Sequence, residues 1–299
     1  MTPTELTQRL RDRVLLLDGG LGSYFIAMGL EQGRAPEAWN LEHPEQVIEV
    51  HRRYVDAGSD IIQTNSFGAS PPKLAASGLE GRCAELNLAA VELARKAAGA
   101  SALVAGNIGP TGRFLAPMGD ATEEQLEEAL REQASALARA GVDLISIETM
   151  YDLREALAAV RAARDTGLAV LCSMTFELRP RGVFTIMGNR LVPSLQALRD
   201  AGATAAGLNC TVTSDAMLTM VEQTREQASL APVVAQPNAG QPIATPSGIK
   251  YDADPDRFAA DIGRMLRAGA RVVGGCCGTD DAFIRATRRA IDTMVSADG

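Results

Sequence analysis

The chain has 299 residues, 46% hydrophobic and 22% charged, a balance that excludes disordered and fibrous chains. A net charge of -8 and a pI of about 5.0, with no Lys/Arg-rich patch, exclude nucleic acid and anionic membrane as main partners. Five cysteines, an odd number, argue against a disulfide framework, and two histidines cannot build a His-rich metal site.

The polar opening "MTPTELTQRLRD" leads into a first apolar run, "VLLLD" (14–18), too short for a signal-peptide core or a membrane span. The expected location is therefore cytoplasmic. Seven further runs follow: "SDIIQT" (59–64), "ALVAGN" (102–107), "VDLISIE" (142–148), "LAVLCSM" (168–174), "TAAGLN" (204–209), "PVVAQ" (232–236) and "RVVGG" (271–275). They are continuous rather than alternating, as in strands covered on both faces.

Apolar residues recur at three- and four-residue spacing over 44–58, and again over 122–141, which predicts helices ending at glycine. Similar stretches cover 82–98, 152–165, 193–202, 214–228, 255–269 and 280–295. His43 and His51 lie beside and on the first of these and read as capping or solvated residues. Eight strand–helix units predict an α/β protein, a (β/α)8 TIM barrel, with residues 1–299 as one domain. A doubly wound open sheet is the structural alternative.

Active sites of such barrels sit at the C-terminal ends of the strands. Polar and glycine-rich residues gather there: Asp18-Gly19-Gly20 after the first strand, Glu148-Thr149 at the fourth, Asn209-Cys210 at the sixth, Asn238 after the seventh, and Cys276-Cys277 after the eighth. Ends two strands apart can face each other across the mouth. Cys210, Cys276 and Cys277 then read either as three thiolates of an open zinc site or as small buried hydrophobes. Cys83 and Cys172 read as core residues. Glu148 directly ends an apolar strand and suits an ammonium. Asp18 suits an ammonium or the bracing of its own turn. The amides of Gly19 and Gly20, with no Cβ in the way, can approach an anion.

"LLLDGGLGSYF", "GSDIIQTNSFGAS", "GNIGPTG", "DLISIET", "GLNC", "PNAG" and "VGGCCGT" together resemble the homocysteine S-methyltransferase family, above all the homocysteine-binding barrel of cobalamin-dependent methionine synthase. The motifs run from residue 18 to residue 279 in the family's order. The resemblance implies zinc held by Cys210, Cys276 and Cys277, with the homocysteine thiol completing the shell. It also implies Asp18 and Glu148 at the substrate's amino acid end, and Asn238 near the metal in the absence of substrate. Three cysteine thiolates leave excess negative charge on a divalent ion, so a bound thiol loses its proton yet keeps its electron density. The folate, cobalamin and reactivation domains of full-length methionine synthase are not in this sequence. The expected donor is therefore a methylcorrinoid (methylcobalamin) on a separate protein. S-methylmethionine or a betaine-like onium compound is the alternative, as is a homocysteine-presenting subunit inactive without its complex.

Overall fold

The computed structural model describes residues 1–298 except 32, 226, 228, 229, 246 and 247. Eight parallel strands form its sheet: β1 Leu15–Leu16, β2 Ile61–Gln63, β3 Leu103–Ile108, β4 Leu144–Met150, β5 Val170–Met174, β6 Ala205–Thr213, β7 Val233–Asn238 and β8 Ala270–Val273. Each pairs with its sequence neighbour from β2 to β8, and β8 pairs with β1. The β1–β2 seam is closed chiefly by carboxylates. Asp60 N–H donates to the Leu16 carbonyl at 2.7 Å, and the Leu16 amide donates to Asp60 Oδ2 at 2.8 Å. The Gln63 amide donates to Asp18 Oδ2 at 2.8 Å. The result is the expected (β/α)8 barrel rather than an open sheet.

The outer layer comprises α1 Pro44–Asp56, α2 Cys83–Ala98, α3 Glu123–Ala140, α4 Leu153–Arg164, α5 Leu191–Asp200, α6 Ser214–Thr224, α7 Pro255–Arg267 and α8 Asp281–Asp298. The helix expected to run to residue 228 ends at Thr224; residues 226 and 228 lie outside the described residues. Two antiparallel hairpins rise from the mouth, Glu177–Arg179 with Gly182–Phe184 and Pro242–Thr245 with Gly248–Tyr251. The N-terminal segment Pro3–Asp12 is also helical, with a Thr2–Glu5 capping box. Its Leu6 and Leu10 join the inward cluster of Leu15, Leu17, Leu144, Leu171 and Val234 and close the barrel floor.

The period-two pleat decides what lies above that floor. Ile61, Ala105, Leu144, Leu171, Ala205 and Val234 belong to the inner cluster, whereas Ile62, Val104, Ile145, Cys172, Ala206 and Ala235 pack with the helices. Two residues further along the inward faces come Gln63, Asn107, Ser173 and Gln236; Glu148 and Asn209 stand four beyond Leu144 and Ala205. A buried polar tier thus sits directly on an apolar one. Cys172 and Cys83 are buried core thiols, as expected. His51 departs from expectation: it is fully buried on α1, and neither ring nitrogen has a partner among the described residues. Apolar spacing alone could not reveal this, because it assigned every polar residue of the helix to the outer face. His43 does stand at the N-cap of α1, where its ring lies 4.8 Å from Trp39.

Candidate active site at the barrel mouth

The Sγ atoms of Cys210, Cys276 and Cys277 all lie within 4.8 Å of one another, and Cys210 and Cys277 are 3.7 Å apart. Tetrahedral zinc with bonds of about 2.3 Å requires sulfur–sulfur edges of about 3.8 Å, so the donor set fits such an ion. The Cys276 and Cys277 thiols hydrogen-bond to Cys210 and hold its pKa well below the usual thiol range, while hydrogen bonds to Cys210 and Cys277, and then burial, push Cys276 up.

Local backbone aims these sulfurs. Cys210 and Thr211 adopt left-handed φ of 60° and 68°, and the β6–β7 register slips between Asn209 and Thr213. β4 does the same at Thr149, with φ 62° and a slip between Ile147 and Met150. Such bulges re-aim side chains at the cost of local strain. The Cys276-Cys277 turn is clamped on two sides. The Cys276 amide donates to the Pro237 carbonyl at 2.9 Å, and the Cys277 amide to Asn238 Oδ1 at 3.1 Å. From the first loop, the Gly20 amide donates to the Thr279 carbonyl at 3.1 Å, and Ser23 accepts from the Gly278 amide.

That clamp explains the paired glycines. A Cβ on Gly19 would lie 2.7 Å from the Thr279 carbonyl oxygen, and one on Gly20 would lie 2.5 Å from that of Cys276. Both glycines line the cleft, but the Gly20 amide is already committed within the protein, so the expected anion contact there gives way to loop packing. Gly278 has φ 80° beneath the Tyr251 ring, whose hydroxyl is within hydrogen-bonding reach of Cys277.

A cleft of about 490 Å³ opens beside the sulfurs. Glu148 forms part of its wall, with Oε1 accepting from Asn107 Nδ2 at 2.7 Å and Oε2 from Asn209 Nδ2 at 3.3 Å. Burial raises the Glu148 pKa from 4.5 to about 7, against the lowering effect of Asn107. Asp18 is completely buried and is not part of the cleft wall. Its Oδ2 braces β2, while Oδ1 has no partner among the described residues. Burial raises its pKa strongly, and the charge of Glu148 adds to this. Gln63 hydrogen-bonds to both carboxylates. Gln63 Oε1 and Asn107 Oδ1, both from cleft-lining residues, are also acceptors without a partner among the described residues. Buried acceptors in excess call for a ligand that only donates, and an ammonium is one. Asn238 lies beside the sulfurs, hydrogen-bonded to both Cys277 and Cys210.

Sequence reasoning brought Cys210, Cys276, Cys277, Glu148 and Asn238 to one place, and the structure assembles them there. It gave no role to Gln63, Asn107, Asn209, Thr149 or Tyr251, although Asn209 and Thr149 already stood among the polar strand ends. The first three were legible as inward-facing polar residues that continue a strand's period-two pattern.

The molecule is thus a (β/α)8 barrel whose mouth gathers three cysteine sulfurs, close enough to hold a metal ion, beside an acidic, acceptor-rich cleft. The chain belongs to the homocysteine S-methyltransferase family, whose model matches residues 15–291. It is 28% identical to methionine synthase of Mycobacterium leprae and 29% identical to that of Mycobacterium tuberculosis, over 96% of this chain in each case. It spans about a quarter of the length of these curated relatives. Among solved structures, the metallated form of the homocysteine methyltransferase MmuM from Escherichia coli superimposes with a TM-score of 0.77 at 28% identity, covering 92% of this chain and 96% of that one. A methyltransferase from Methanosarcina mazei, 14% identical with a TM-score of 0.62, shares the fold.

Proposed function

We propose that this protein is a zinc-dependent methyltransferase that activates the thiol of homocysteine and yields methionine. The observation that carries this reading is the group of three sulfurs within 4.8 Å of one another beside a buried carboxylate. Cys210, Cys276 and Cys277 would hold the ion. When bound, zinc would supply a Lewis acid that lowers the pKa of the substrate thiol so that its proton is released to solvent at neutral pH, while the cysteines' charge keeps that sulfur nucleophilic.

The chain's own residues do the rest. Glu148, held by Asn107 and Asn209, receives the substrate ammonium together with the unpartnered acceptors of Gln63 and Asn107. Asp18 stands behind them as a second carboxyl group linked through Gln63. In the transfer, the S–H bond of homocysteine is lost as a proton and a new S–CH3 bond forms. The donor–CH3 bond breaks with its electron pair remaining on the donor.

For the donor, a methylcorrinoid is supported by the cleft wall. Phe67 is its one aromatic ring among the described residues, whereas quaternary ammonium recognition uses several. A small sulfonium donor is the second reading. It is favoured by a cleft of about 490 Å³, of the size that holds drug-like ligands, against a substrate of eight non-hydrogen atoms. The test is a donor screen with homocysteine, with metal content measured on the same sample. Methionine formed from methylcobalamin but not from betaine supports the first reading. Turnover with S-methylmethionine alone moves the assignment to the second. A zinc-loaded protein that forms methionine from no donor, with or without a corrinoid protein, contradicts the enzymatic reading.

A further inference from the structure

Asn209, in β6 just before its register slip, is completely buried and sits between the two halves of the site. Its hydrogen-bonding capacity is fully used. Oδ1 accepts from the Thr149 amide and from Ser173 Oγ, each at 2.8 Å. Nδ2 has two hydrogens and three acceptors within reach: Thr149 Oγ1 at 2.8 Å, Glu148 Oε2 at 3.3 Å and Cys276 Sγ at 3.8 Å. With Thr149 taking one hydrogen, the carboxylate and the sulfur share the other.

We propose that Asn209 is a positioning residue that couples the ammonium-binding carboxylate of Glu148 to the ligand sulfur of Cys276, a role that rests on the function proposed above. Two features carry it. First, Asn209 grips Thr149 by its amide and its hydroxyl, and Thr149 is a β-branched residue at φ 62° that would not rest there unaided. That grip sets the direction of the neighbouring Glu148 side chain. Second, the shared N–H answers to the charge on each acceptor. When an ammonium takes up the charge of Glu148, the N–H turns toward Cys276. A hydrogen bond to a ligand sulfur lowers the energy of its lone pair, so filling the amino acid pocket adjusts electron donation at the metal site. No other side-chain type supplies two acceptor and two donor positions at this length. Asp lacks the donors, Ser lacks the reach, and Gln is longer by a methylene.

The test uses Co²⁺-loaded protein, whose sulfur-to-metal charge-transfer band reports on the sulfurs directly. Two thiols serve as probes: homocysteine, and 4-mercaptobutanoate, which lacks the ammonium. Asn209→Ser is expected to keep one metal per chain and move the band to lower energy. It should weaken homocysteine about tenfold or more while leaving 4-mercaptobutanoate nearly unchanged. If Asn209→Ser does not fold, Asn209→Ser with Thr149→Gly takes its place, because glycine adopts the left-handed backbone without the grip. An unmoved band with unchanged homocysteine affinity overturns the proposal, and so does an equal loss for both thiols. Wild-type protein that binds Co²⁺ but shows no band change with homocysteine overturns the underlying reading instead.

Discussion

Glu148 is held where an isolated carboxylate is least comfortable, and its pKa of about 7 records the cost. Between pH 4.5 and about 7 the unfolded chain releases this proton and the folded chain keeps it. Stability of the ligand-free protein therefore falls as pH rises through that window. Glu148→Gln removes the penalty, about 3 kcal/mol at full expression. Thermal melts of ligand-free protein should show the variant more stable than wild type at pH 8 and little different near pH 4. The same variant should bind homocysteine roughly 10- to 150-fold more weakly while retaining metal, since one charge-assisted contact is lost. A variant that binds homocysteine normally would move the ammonium to Asp18. The cysteines divide in the same way. Cys210→Ala, Cys276→Ala and Cys277→Ala should each lose most of the zinc in a metal assay, whereas Cys83→Ala and Cys172→Ala should retain it. Full retention in the first three would remove the metal site. The sulfurs were legible in the sequence because three of the five cysteines fall at strand ends, which a closed barrel brings to one mouth. The commitment of the Gly20 amide was not legible, because it depends on a loop 259 residues away in the chain.

Among the helices, α1 carries an internal conflict. His51 is enclosed with both nitrogens unpartnered, and burial pushes its pKa from 6.5 down to about 4. The folded protein therefore needs the neutral imidazole. Stability present above pH 6.5 is lost as pH falls toward 4, by up to about 3 kcal/mol. His51→Leu removes both the titration and the unmet polar groups. Denaturation at pH 5 should find this variant more stable than wild type, whereas a variant that loses stability there would mean that His51 has a partner. The eight strands and the helices around them were readable to within a few residues, because parallel strands buried on both faces give unbroken apolar runs. The two mouth hairpins were not. Segments such as Glu177–Phe184 are short and half polar, and they are strands only because each pairs with its own return. The N-terminal helix was missed for a different reason. Its two buried leucines, Leu6 and Leu10, are too few to set a period, and their burial depends on the open floor of the barrel.

At the scale of the molecule, the parallel barrel brings residues far apart in sequence to one rim. Asp18 of the first loop, Glu148 of β4, Cys210 of β6 and the Cys276-Cys277 turn meet only because the sheet closes. The polar tier resting on the apolar interior then buries carboxyl groups whose natural complement is a cation. No helix of the described residues is long and apolar enough to cross a membrane. The proposed function requires three cysteines to hold a metal to which the sulfur of homocysteine adds. Zinc-edge X-ray absorption on the loaded protein, before and after homocysteine, tests it most directly. The predicted result is a shell of three sulfurs and one lighter atom that becomes four sulfurs when homocysteine is added. A shell that does not gain a sulfur, or a protein that holds no zinc, would contradict the account.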